Sequence, residues 1–101
     1  MSIVVINAVM VPAERRTEFE ARFAARAGQV SQAEGFEAFE LLRPEDGDRY
    51  LVYTRWRDRS SFEAWMHSTY FSEGHRQHQD QGAVSSASEV WNFEVLQHEE
   101  A

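Results

Sequence analysis

The densest chemistry in the chain lies between Ser60 and His78, in the run SSFEAWMHSTYFSEGHRQH. Phe62, Trp65 and Met66 fall at i, i+3 and i+4, so they share one face of a short helix that Asp58 or Ser60 can cap. Phe71, His75 and His78 repeat a helical spacing at i, i+4 and i+7, which sets one imidazole or two on the inward stripe of a second helical segment. A neutral imidazole on an apolar wall is a candidate metal ligand, its other ring nitrogen tied to an acceptor such as a backbone carbonyl or Glu73. Spacing alone also admits a plainer arrangement, with His75 and His78 on the surface of a fraying helix. Asn7 is a second candidate, the only polar side chain in the run Ile3 to Val11. An amide facing a core must find partners or cost about 1–3 kcal/mol. A turn or bulge would also account for an asparagine there, but Ile6 and Ala8 continue the strand with no glycine or proline beside them. Arg22 and Arg26 stand one helical turn apart, with Glu18 placed to pair with Arg22, a pattern whose default meaning is a solvated helix face.

These residues have to be positioned by regular elements. Ile3 to Val11 is rich in β-branched residues, ends at Pro12 and is apolar on both alternating faces, as expected of a strand covered on both sides. From Ala13 to about Ala33 the period changes to 3.6, with Phe19, Phe23, Ala27 and Val30 as the buried stripe and Gly35 as the left-handed cap. Phe36 to Arg43 and Arg49 to Arg57 form two strands of a hairpin around Pro44-Glu45-Asp46-Gly47-Asp48. Gln79 to Ser88 is polar and contains Gly82 and three serines, the composition of a loop. The last strand, Glu89 to Gln97, brings Trp91, Phe93 and Val95 to one face, and a charged tail follows from His98.

Composition narrows the classes of function. The 101 residues suit one domain, 1–101, with a core of about 3–97. Hydrophobic residues are 43% and aromatics 13%, many rings for so small a core, and the excess points to an interface or a pocket. All ten basic residues are arginine and the net charge is -7, so the overall field opposes nucleic acid and anionic membranes, and any anionic ligand must be met by local arginines. The absence of cysteine removes disulfides, thiolate nucleophiles and cysteine zinc sites. The opening MSIVVINAVMVP has no basic leader and is too short to span a bilayer, so a cytoplasmic location is the expectation.

Strand, helix, strand, strand, helical segment, strand fits a ferredoxin-like α+β plan, a four-stranded antiparallel sheet with helices on one face. The helices leave the second face bare. Trp91, Phe93, Val9 and Val11 are expected to crowd it, and burying such a face calls for a homodimer.

Four features together resemble a known family: INAVMVP at the start, the Arg22-Phe23-x-x-Arg26 pattern, EGFEAFELLRP around Phe36 to Pro44, and FEAW followed by a histidine. The chain resembles the haem-degrading monooxygenases of the staphylococcal and mycobacterial type, within the antibiotic-biosynthesis-monooxygenase group of dimeric ferredoxin-like (dimeric α/β barrel) proteins. The resemblance implies that Asn7 lines the distal side of a haem pocket, that Trp65 presses on the macrocycle and that His75 is the proximal iron ligand. His75 stands ten residues after Trp65 and His78 thirteen, and the family's spacing matches the first. Arg22 and Arg26 match a helical pair that meets haem propionates, with Phe23, Phe62 and Phe71 beside the ring.

The chemistry suits these residue types. One imidazole ligand leaves the opposite side open for O₂. An amide at Asn7 steadies charge on bound oxygen without becoming an acid. An indole at Trp65 can push the ring out of plane and expose a meso carbon. Haem would then be cofactor and substrate, with iron released. Electrons would come from an external reductant or reductase, since no flavin or nicotinamide pattern is present. Two other readings fit the same resemblance: a cofactor-free monooxygenase acting on an aromatic polyketide-like substrate, and a non-catalytic haem-binding dimer.

Overall fold

Ile3, Val4, Val5, Ile6 and Val9 favour extended backbone through their branched Cβ atoms, and they lie in strand β1, Ile3–Met10. A computed structural model of the chain describes residues 1–26, 28, 30–68 and 87–101. After β1 come a 3₁₀ turn, Ala13–Arg15, and helix α1, Arg16–Ala25. A second 3₁₀ turn, Val30–Gln32, leads to strands β2, Phe36–Leu42, and β3, Arg49–Trp56; helix α2, Arg59–Met66, and strand β4, Ala87–Glu94, complete the described elements. The sheet order is β2-β3-β1-β4 with every pair antiparallel. This is the expected ferredoxin-like α+β arrangement, and it makes β1 a central strand.

Alternation along β1 sends its odd-numbered residues toward the helices. Val9 and Val11 are buried with Phe19 of α1 and Tyr50 of β3, and Phe23, Leu41 and Val52 pack against them. Ile3 and Val5 are buried with Trp56, and Phe62 and Trp65 of α2 close over that group with Phe36. Both helices therefore cover the same face. Val9 and Val11 were expected on the opposite, bare face, and that expectation is corrected. The even-numbered residues occupy it: Val4 pairs with Phe93 and Ile6 with Trp91. Met66 shares the α2 face of Phe62 and Trp65 as expected, but at the helix end it is 38% exposed.

Helix α1 ends well before Ala33. Gly28 has a φ of +92°, a conformation that costs a glycine little and cannot continue a right-handed helix. The expected cap, Gly35, has another duty. It also has positive φ (+82°), and a Cβ built there would lie 2.1 Å from Ser61 Oγ, so only glycine lets the start of β2 press against α2. At the other end of this junction Asp58 caps α2 as expected, its Oδ1 accepting from the Ser61 backbone N–H at 2.8 Å.

A register shift between Phe36 and Ala38 alters which side chains of β2 look inward. Phe36 is opposite Trp56, Phe39 opposite Thr54 and Leu41 opposite Val52. The irregularity at Glu37 thus turns Phe39 and Leu41 to the helix face, together with Phe36, where strict alternation would separate them.

Helix α1 is latched to the hairpin by a charged cluster. Arg43 donates to both carboxylate oxygens of Glu20, at 2.9 and 2.6 Å, and the buried Tyr50 donates its hydroxyl to the same carboxylate. The hydrogen bond from Arg43, followed by that from Tyr50, holds the Glu20 carboxyl down at about 2, from 4.5. A depressed folded value means that the carboxylate stabilises the fold above about pH 4.5 and that this contribution fades as pH falls toward 2. The gap in urea midpoint between wild type and Glu20→Gln should therefore be constant above about pH 5 and shrink by about half near pH 3. A gap unchanged at that lower pH would show that the carboxylate charge contributes nothing and that the amide is simply a poorer fit.

Candidate functional site

Between the two buried groups, β1 carries one polar residue. Alternation sets Asn7 on the helix face between Val5 and Val9, that is, at the seam where the α1 cluster gives way to the α2 cluster. Its register partners are Val52 on β3 and Val90 on β4, and Val90 is 60% exposed. The Asn7 Oδ1 is buried and has no hydrogen-bond partner among the described residues. An orphaned buried acceptor costs about 1–3 kcal/mol, which makes Asn7 a candidate for a role other than packing.

One wall of this seam is α1. Phe23 is half-buried, 5.1 Å from Phe19 and stacked at 6.2 Å on Phe39, which is itself 38% exposed. The Arg26 guanidinium lies over the Phe23 ring at 5.1 Å. Arg22 binds Glu18 at 2.9 Å, as the spacing suggested, yet its side chain is only 10% exposed. The solvated-face interpretation of this pair therefore fails: both cations are at least partly withdrawn from water. Burial, reinforced by the neighbouring charge of Arg22, lowers the Arg26 pKa. Glu18 is shared between Arg15 and Arg22, and its own carboxyl is lowered first by the Arg15 hydrogen bond. In an acidic chain this is a local cationic corner, suited to a carboxylate-bearing ligand.

The other wall is α2, which offers half-buried Phe62 and Trp65, 6.5 Å apart by ring centroid. Asn7, Arg22, Phe23, Arg26, Phe62 and Trp65 are thus gathered on the helix face of one sheet. Phe71 and His75, along with His78, lie outside the described residues. Phe39, Leu41 and Val52 belong to the same apolar surface and were not singled out from sequence. The signal was the Phe36-x-x-Phe39-x-Leu41 spacing, which puts three apolar residues on one face only once the bulge is known.

A four-stranded antiparallel sheet with both helices on one face defines an α+β protein of ferredoxin-like type. The sequence pattern of one family, antibiotic biosynthesis monooxygenase, matches residues 2–77. The chain belongs to the antibiotic biosynthesis monooxygenase family. It is 39% identical over 99 residues to a mycobilin-producing haem oxygenase of Mycobacterium tuberculosis H37Rv, covering 95% of this chain and 90% of that one. The structure of the haem-degrader MhuD from the same organism, with two haems bound in its active site, superimposes with a TM-score of 0.79 at 36% identity and covers 97% of this chain and 99% of that one. A mutant form of SnoaB, a cofactor-independent oxygenase from Streptomyces nogalater, superimposes with a TM-score of 0.80 at 26% identity, over 96% and 95% of the two chains.

Proposed function

We propose that this chain is a haem-degrading monooxygenase: it binds haem in the seam between α1 and α2 and opens the porphyrin with O₂ and electrons from an external donor, releasing iron. The observation that carries the reading is the buried, unpartnered amide oxygen of Asn7 between an aromatic wall and a cationic corner, in a chain 39% identical to a haem oxygenase. The residues fit such a substrate. A flat apolar ring suits Phe23, Phe39, Phe62 and Trp65, and its two carboxylates suit Arg22 and Arg26. Haem, when bound, supplies an iron that activates O₂ and a ring that is itself consumed.

The chain's own residues then have separable tasks. Arg22 and Arg26 orient the ring through its carboxylates by charge-assisted hydrogen bonds. A half-turn about χ2 presents either the oxygen or the NH₂ of Asn7, so this side chain can donate a hydrogen bond in a site shielded from water. Trp65 would be the bulky aromatic face that meets the bound ring. His75 would hold the iron through its neutral imidazole, a role supported by its place ten residues after Trp65. The reading places the reaction in the cytoplasm, where reductants are at hand, and among the described residues no helix is long and apolar enough to cross a membrane.

Haemin titration should give a saturable Soret shift, and ascorbate with O₂ and catalase should then bleach the band and free iron that a chelator captures. A chain that takes up no haemin would instead fit a cofactor-free oxygenase, and one that holds haemin unchanged under reductant would be a haem binder.

A homodimer through the bare sheet face completes the proposal. Phe93 is 49% and Leu42 38% exposed there, beside Ile6, Leu51, Tyr53 and Trp91. Trp91 donates to Glu89 at 3.0 Å and carries Arg49 at 5.8 Å over its ring, giving the apolar patch a polar margin. Such an interface should bury more than about 1,000 Å², and light scattering at low micromolar concentration should return twice the chain mass; a monomer there would sink the idea.

A further inference from the structure

The haem-degrading reading gives Trp65 a task that depends on the angle of its indole. Trp65 sits in the last turn of α2, a helix of eight residues. The first turn is held firmly: Asp58 caps it, and Arg59 reaches Asn92 of β4 at 3.1 Å. At the other end the main chain is tied locally, by His67 N–H to the Glu63 carbonyl at 3.2 Å and Ser68 Oγ to the Trp65 carbonyl at 2.6 Å. Both contacts act on the backbone, and the indole itself meets the Phe62 ring at 6.5 Å on its own helix. Beneath it lies Trp56, the last residue of β3, with no exposed surface at all. The two indoles are 5.6 Å apart by centroid and inclined at 38°. Trp56 is in turn gripped edge-on by Phe36 and Phe62, each 5.7 Å away at 83° and 65°. Its Nε1 is buried with no hydrogen-bond partner among the described residues. A phenylalanine would fill much of the same space without stranding a donor, so the wide indole surface is the property the site retains.

We propose that Trp56 is a positioning residue: without touching the substrate, it is the seat that fixes the tilt of Trp65 against the porphyrin, and hence the degree to which the ring is bent. This rests on the haem-degrading reading. A smaller ring at position 56 would let the Trp65 indole settle toward the sheet, and the porphyrin would relax toward planarity.

The test uses the full-length chain loaded with haemin, comparing wild type, Trp56→Phe, Trp56→Tyr, Trp65→Phe and Phe36→Leu, with far-ultraviolet circular dichroism to confirm that each is folded. Phe36→Leu softens the same core at a ring that meets Trp56 edge-on while leaving both indoles of the Trp56–Trp65 pair in place, and so reports the effect of softening alone. In the haem-free proteins, the exciton couplet between two close indoles should be lost in all three tryptophan variants and kept in Phe36→Leu. In the loaded proteins, resonance Raman out-of-plane porphyrin bands should weaken in Trp56→Phe and Trp56→Tyr in the same direction as in Trp65→Phe, with haemin affinity little changed. Phe36→Leu should match wild type. Wild-type bands in either folded Trp56 variant would overturn the proposal and leave Trp56 as core packing, as would a Phe36→Leu spectrum shifted equally far. Failure of wild type to bind haemin is a separate result, which would overturn the haem reading and this proposal together.

Discussion

Replacing His75 with alanine is expected to remove the five-coordinate imidazole spectrum of the haemin complex and to weaken haemin binding by at least an order of magnitude, about 1.4 kcal/mol for each factor of ten. The reason is chemical. Aromatic walls and arginines can hold a porphyrin by area and charge, but only a lone pair on nitrogen, oxygen or sulfur bonds the iron, and the chain has no cysteine. His67 supplies the control among the described residues: it is exposed at the C-terminal cap of α2, so His67→Ala should leave the spectrum alone. His78→Ala should do little, and a larger loss there than at His75 would move the ligand three residues along. Since only the neutral imidazole ligates, affinity should also fall in acid in wild type, and adding free imidazole should restore the spectrum of His75→Ala.

Asn7→Ala should separate turnover from binding. Loss of one preorganised hydrogen-bond donor from a dry site typically costs about 10²-fold in rate, so bleaching of the Soret band under ascorbate and O₂ should slow by about that factor while haemin affinity hardly changes. Stability provides a second, independent reading. The Oδ1 has no partner among the described residues, and deleting an unsatisfied buried acceptor relieves a penalty of about 1–3 kcal/mol. The thermal midpoint of Asn7→Ala should therefore equal or exceed that of wild type. A variant that melts earlier and bleaches haem at the normal rate would make Asn7 a structural residue whose partner forms only in solution.

That contrast between local chemistry and long-range placement runs through the whole chain. Branched and aromatic residues in β1 and β3, the Asp-Gly-containing turn between β2 and β3, and Asp58 ahead of α2 each carry their structural meaning within a few residues. Propensity, turn geometry and capping are short-range effects, and together they made the α+β class and the strand order along the chain legible. The odd polar residue in β1, the paired arginines and the aromatic run after Asp58 were legible as chemistry for the same reason: residue type alone shows what a side chain is able to do.

Direction and depth were decided only in three dimensions. Val9 and Val11 lie under α1, away from the bare face, because pairing register with β3 and β4 assigns every side chain of β1 to one face or the other, and a one-residue change reverses all of them. The irregularity at Glu37 brings Phe39 and Leu41 to the helix face, and it exists only as a mismatch between two strands. α1 stops near Gly28 and leaves Gly35 to admit Ser61, a choice between two permissive glycines that depends on what packs against each. Arg22 and Arg26 have the spacing of surface residues, and only the fold decides that the first is 10% exposed and that the second lies over the Phe23 ring. The sequence by itself determined which groups this protein has for meeting a flat, carboxylate-bearing substrate. The packing of two helices onto one face of a sheet decided that those groups share that face with Asn7, because burial and facing are properties of pairs of elements distant along the chain.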